Sequence, residues 1–126
     1  MPYSVGALAA DDHRVLLAKA AIRAARRLEM RNVELARVLG VSEAVISKID
    51  RHGDALPNDA KKLELTKLFI RLFRSVDAIV GGDDDVSAKW LRNENIVFGQ
   101  KPIDAIQSIT GLVDVVSYLD ARRALV

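Results

Sequence analysis

Residues 60–80, AKKLELTKLFIRLFRSVDAIV, set the first condition on any fold for this chain. Glu64, Lys67, Arg71, Arg74 and Asp77 recur every three or four residues as one narrow polar stripe. The rest is apolar nearly all round: Leu63, Leu65, Leu68, Phe69, Ile70, Leu72, Phe73, Val76, Ile79 and Val80. A helix lying on a surface needs one apolar face. This one needs cover on two sides, from the helical units before and after it and, in the favoured reading, from its copy in a homodimer. Burial inside a single chain is the alternative. Pro57, Asn58 and Asp59 mark the start of the helix, which is expected to run to about Val80.

The unit in front is read from residues 32–51, NVELARVLGVSEAVISKIDR. Asn32 is expected to cap a short helix with Leu35, Val38 and Leu39 inward. Gly40 then breaks it, Val41 plugs the turn, and Ser42 caps a second helix with Val45, Ile46 and Ile49 inward. Ala36 is small where two helices must cross closely. The spacing Ala36, Gly40, Ile46 is that of a helix-turn-helix, and this stretch resembles the Xre-type DNA-binding module. The outward positions of its second helix are Ser42, Glu43, Ala44, Ser47, Lys48 and Arg51. Lys48 and Arg51 suit guanine edges or phosphates, Ser47 either, Ala44 a thymine methyl, and Glu43 a cytosine amine; a good bidentate base contact discriminates by roughly 1–3 kcal/mol. Asn32 and Arg37 are candidates for holding the phosphate backbone. Ahead of this unit, Asp11 and Asp12 are expected to start a helix reaching about Met30, with Leu17, Ala20, Ala24 and Leu28 on its inner face. Residues 1–10 are expected to be loose apart from docking by Tyr3 or Leu8.

Charge is divided along the chain. Residues 1–76 carry 14 Lys/Arg and 9 Asp/Glu, and residues 77–126 carry 5 and 8, so a basic front half of +5 precedes an acidic rear of −3 within a net charge of +2. Two surfaces for two kinds of partner are implied, the front being the one that approaches a polyanion. There is no cysteine, which removes disulfides, thiolate metal sites and a thiol nucleophile. The N-terminus has no basic start and too short an apolar run for a signal peptide, and no apolar stretch reaches the ~18 residues of a membrane span. A cytoplasmic protein without a membrane partner is expected.

Gly81-Gly82-Asp83-Asp84-Asp85 reads as a linker, with a helix expected from Ser87 to about Asn93 or Asn95. Its three adjacent carboxylates lack the alternate spacing of a calcium loop, so no metal is expected. Phe98-Gly99 then reverses the chain, and Pro102 sits where a first helical turn tolerates a residue without an N–H. Ile103, Ile106 and Ile109 fall on one helical face. Thr110-Gly111 interrupts, with Thr110 as the expected N-cap, and Leu112, Val115, Val116 and Leu119 form another stripe. The whole is all-α: a helix-turn-helix unit (1–54), a long central apolar helix (55–80) and a C-terminal bundle of short helices (81–126).

Trp90-Leu91, Asn95, Phe98-Gly99, Pro102-Ile103-Asp104-Ala105, Gly111-Leu112 and Tyr118-Leu119-Asp120 together resemble the toxin-binding domain of the MbcA/ParS/Xre antitoxins. Family members often close this domain with a glycine soon after the Tyr-Leu-Asp element, whereas this chain continues as Ala121-Arg122-Arg123-Ala124-Leu125-Val126. The resemblance implies a dimeric inhibitor of a RES-domain toxin, one that degrades NAD or transfers ADP-ribose from it. It also implies an operator-binding helix-turn-helix. On this chain the motif falls on Trp90, Asn95, Phe98, Gly99, Pro102, Gly111 and Tyr118, most of which are expected to shape the module. Direct contact with the toxin is expected from Tyr118, Asp120, Arg122 and Arg123, because arginines beside apolar residues anchor interfaces and pair with carboxylates. No enzyme is expected, since paired histidines, a glycine-rich phosphate loop and a fixed carboxylate pair are all missing, and no cofactor is called for. The rival reading is a stand-alone helix-turn-helix repressor without a toxin.

Overall fold

The computed structural model describes the backbone of residues 5–125 and the side-chain surroundings of residues 11–125. Among these there are seven helices and no strand: α1 (Val5–Arg27), α2 (Asn32–Leu39), α3 (Glu43–His52), α4 (Ala60–Ile79), α5 (Asp84–Arg92), α6 (Pro102–Ala105) and α7 (Ile109–Arg123). The first helix starts earlier than expected. Asp11 and Asp12 lie inside it, because the alanine-containing stretch before them has enough helix propensity to extend it to Val5. Tyr3, and the side chain of Leu8, fall outside the described residues. The buried stripe of α1 is also rotated from the expected one. Ala18, Ala21, Ala24, Ala25 and Leu28 are buried, while Leu17 and Ala20 are only partly so. Small alanines allow neighbouring helices to approach α1 closely, which the bulkier face cannot.

The helix-turn-helix forms as the spacing requires. Leu35, Ala36, Val38, Leu39, Ile46 and Ile49 are buried, with Val41 and Val45 packed at the edge. Gly40 ends α2 in the left-handed conformation at φ 72°, with Val41 N–H returning to Ala36 O at 3.0 Å. Ser42 caps α3, its hydroxyl accepting from Val45 N–H at 3.2 Å. Asn32 is not the cap of α2. Arg31 holds that position, because Glu34 reaches back to accept the Arg31 backbone N–H at 2.8 Å and so fixes the helix start one residue earlier.

Asp59 caps α4, accepting from Lys62 N–H at 3.0 Å. The cover for its apolar surface comes from the same chain. α1 and α2 pack on one side and α7 on the other, burying Phe69, Leu72 and Val76 completely and Ile70 and Phe73 nearly so, while Glu64, Lys67, Arg71 and Arg74 stay exposed. None of the large apolar residues of α4 is left exposed, so a second copy is not required to shield it.

Asp83, not a residue near Ser87, opens the next helix by accepting Val86 N–H at 3.2 Å. Beyond α5 the chain makes a tight turn. Asn95 N–H donates to Gln100 O at 3.2 Å, Gly99 N–H to Asn95 O at 3.0 Å, and the Asn95 side-chain oxygen accepts Val97 N–H at 2.9 Å. Pro102 opens α6, and Ile103 and Ile106 are buried. Ile109 is not on their face. It is 62% exposed, because α6 stops at Ala105 and a new helix begins with Ser108 as its cap, in place of Thr110. The Ser108 hydroxyl accepts Gly111 N–H at 3.1 Å. Leu112, Val115, Val116 and Leu119 bury the inner face of α7 as expected.

Candidate functional surfaces

On α3, Glu43, Ala44, Lys48 and Arg51 are exposed together with the capping Ser42, and Ser47 is half-exposed. Arg51 is oriented by its own helix, its guanidinium donating to Ser47 Oγ at 2.7 and 3.1 Å. Asp50, a like charge to phosphate, is neutralised by Arg26 at 2.8 Å, and the same guanidinium donates to Asn32 Oδ1 at 3.0 Å. The outer face of α3 therefore presents Lys48 without a competing Asp50, while Asn32 is already engaged. Arg37 is exposed and donates to Gln107 Oε1 at 3.4 Å, linking α2 to the chain after α6. It lies toward the rear unit, apart from the set gathered on α3.

The acidic rear presents a different surface. Phe98 sits edge-on between Trp90 (centroids 6.4 Å) and Tyr118 (5.2 Å), so the turn, α5 and α7 share one aromatic seam. Trp90, Phe98, Pro102 and Gly111 shape this module, and Asn95 and Gly99 shape the turn. Of the expected contact residues, Tyr118 is half-buried in the seam with the Arg122 guanidinium 5.9 Å over its ring. Asp120 is held by an ion pair to Arg71 and by the Ser75 hydroxyl, which donates to it at 3.3 Å. Arg123 is exposed at the edge of a groove shared with His13, Leu16, Lys67, Arg71 and Arg74. The four residues thus fall in three places. Asp120 fastens α7 to α4, Tyr118 and Arg122 belong to the seam, and Arg123 faces the α1–α4 groove.

What the sequence did not reveal is how firmly front and rear are joined. Arg92 in α5 donates to both oxygens of Glu34 in α2, at 2.8 and 3.0 Å, and to Glu29 O at 2.9 Å. Glu34 is only 5% exposed, and the Arg92 hydrogen bonds, aided by the Arg31 N–H, hold its carboxyl down at about 2 against the opposing effect of burial. Arg92 is pushed up in turn by Glu34. A second junction places Arg27 of α1 against Asp77 (2.9 Å) and Asp84 (3.0 Å) and 4.8 Å over the Phe73 ring. Glu34 and Arg92 are 58 positions apart, and no local period points from one to the other.

Among the described residues no helix is long and apolar enough to cross a membrane, and no group of three histidines or carboxylates is placed to hold a metal ion. Two family models match the chain. One, described as the antitoxin Xre-like helix-turn-helix domain, covers residues 7–71. The other, the antitoxin Xre/MbcA/ParS C-terminal toxin-binding domain, covers residues 75–124. No curated protein matches the chain.

Proposed function

This chain belongs to the Xre/MbcA/ParS family of type II antitoxins, and from that premise we propose that it inhibits a RES-domain toxin and represses its own operon. The toxin is one that degrades NAD or transfers ADP-ribose from it, and inhibition consists of covering its active-site cleft. The observation that carries this reading is the joining, in one helical body, of an exposed basic recognition face on α3 to an acidic module matching the toxin-binding domain. The division of labour is a helix-turn-helix unit at 1–54, a central helix at 55–80 and the toxin-binding unit at 81–126. The working species is a homodimer in the cytoplasm, its two recognition helices reading two half-sites.

For the toxin, the exposed arginines of the tail, Arg122 and Arg123, pair with carboxylates lining the cleft, and Tyr118 and Asp120 position them. Cutting the chain at 118 would remove the buried Leu119 and the Asp120–Arg71 tie, so the informative truncation ends at Asp120. Co-expressed with the protein encoded by the adjacent gene, the full chain should co-purify with it and protect cells. Truncation after Asp120 should leave the fold intact and abolish protection. A truncated chain that still protects removes the tail from the mechanism. Failure of the full chain to bind the neighbouring product at all would return the protein to the rival reading, a repressor without a toxin.

For DNA, Lys48 and Arg51 supply the base and phosphate contacts, with Ser42, Glu43, Ala44 and Ser47 beside them, whereas Asn32 and Arg37 reach the backbone only by exchanging their hydrogen bonds to Arg26 and Gln107. The double substitution K48A/R51A should weaken a gel shift on the protein's own promoter by about 30-fold or more, at about 1–3 kcal/mol per contact. An unchanged shift would exclude α3 as the reading helix.

A further inference from the structure

We propose that the turn Asn95–Gln100 is the apolar anchor by which this module grips its toxin, and that the cleft behind it receives one basic side chain of that partner. The proposal rests on the reading that residues 75–124 bind a toxin, and it assigns the part of the module that does so.

Ile96 is 100% exposed and Val97 62% exposed, side by side at the tip of the turn. Neither belongs to the hydrophobic core formed by the described residues. The turn carrying them is nevertheless pinned from several directions: by the Asn95–Gln100 bridge, by the Asn95 side chain on Val97 N–H, by Gly99 N–H on Asn95 O, and by Phe98 wedged between Trp90 and Tyr118. A tip ordered in advance loses little freedom on docking, and β-branched side chains have few rotamers left to lose. Behind it lies a cleft of about 260 Å³ lined by Val97, Phe98, Gln100, Gly111, Asp114 and Tyr118. Asp114 has no ion-pair partner among the described residues. The matching surface is an apolar recess with a lysine or arginine at its edge.

A second copy of the chain fits this face poorly. Paired tip to tip across a two-fold axis, an isoleucine and a valine from each copy fall far short of the ~800 Å² per partner that a stable interface buries. As a hot spot within a larger antitoxin–toxin contact, the pair is of ordinary size.

The test uses the full chain and the purified product of the adjacent gene, with binding measured by calorimetry or interferometry. Because both tip residues are exposed, I96D/V97D should keep the parent's thermal melt and helical spectrum. It should lower affinity for the toxin about 30-fold or more, the effect of losing a hot spot. D114K should weaken binding more than D114N. Parent-like binding by I96D/V97D overturns the anchor, and equal binding by D114K and D114N overturns the cleft. Loss of self-association by I96D/V97D with toxin affinity intact makes the tip a dimer contact and also overturns the proposal. If the unaltered chain does not bind the adjacent product, it is the underlying reading that fails, a result separate from all of these.

Discussion

Replacing Arg92 with alanine should destabilise the protein by about 3 kcal/mol, seen as a fall in Tm of roughly 10 °C. The substitution leaves the buried Glu34 carboxylate with Arg31 alone, through its N–H at 2.8 Å and its exposed guanidinium at 3.5 Å, and removing the main partner of a buried charge is the costly outcome of breaking such a pair. The figure sits at the low end of the usual range because Arg92 is itself partly exposed. The pH dependence has the same origin. The Glu34 carboxyl lies at about 2 in the fold against an ordinary 4.5, held down first by Arg92 and then by Arg31. The sign follows from the depressed value. The contribution is complete above pH 4.5, declines as pH falls from there toward 2, and is absent below it. Denaturant melts of parent and R92A should therefore lie far apart at pH 7 and draw together as acid protonates Glu34. Curves separated by a constant amount from pH 7 down to pH 3 would show that the pair contributes little.

The same substitution touches function by a different route. Glu34 sits in α2 beside α3, and Arg92 in α5 leads directly into the turn carrying Ile96 and Val97. With the Arg27 and Arg37 contacts, the pair makes one body of the helix-turn-helix unit and the toxin-binding module. Loosening it should disturb the placement of both surfaces before either loses its own side chains.

These junctions mark where the sequence stops being informative. Local features were readable because their causes are local. The near-continuous apolar surface of α4, the Asp59 and Ser42 caps, the glycine between α2 and α3, Pro102 at the head of α6 and the 112–119 stripe each depend on neighbours within four residues. The all-α class and the helix-turn-helix follow from them. Boundaries failed where two residues offered the same chemistry, as with Ser108 and Thr110, or where a distant contact decided. Glu34 moved the start of α2 off Asn32 because its carboxylate was already held by Arg92 from the far end of the chain. The inner stripe of α1 failed for a related reason. Apolar size favoured Leu17, but α1 packs through alanines because its neighbours come close. Asp120 shows the limit for the site. A carboxylate near the C-terminus reads as a contact for a partner, and its tie to Arg71 depends on α7 lying along the polar stripe of α4, which only the packed structure shows.

Gly111 marks the place where α6 and α7 meet most tightly. In the sequence it is a motif position and a helix interruption, yet it lies within the first turn of α7. There a glycine is the weaker choice for a helix by about 1 kcal/mol relative to alanine. The packing explains it. A Cβ at Gly111 would stand 1.9 Å from the carbonyl oxygen of Ala105 and 2.8 Å from the Ser108 hydroxyl that caps the helix. The first of these is backbone at the end of α6 and cannot rotate away. G111A should therefore cost about 3 kcal/mol despite its better helix propensity, the overpacking exceeding the gain. It should also shift the cleft containing Asp114 and Tyr118, so toxin binding should fall along with stability. The control is G40A. Gly40 has φ 72°, but its added methyl would meet only Leu65 Cδ1 at 3.5 Å, an ordinary contact. Its penalty is the left-handed backbone alone, about 1–2 kcal/mol. Urea midpoints should rank parent, G40A, then G111A. A G111A protein at least as stable as the parent would mean that α6 and α7 do not meet as closely as this, and that the glycine is kept for something other than the approach of the two helices.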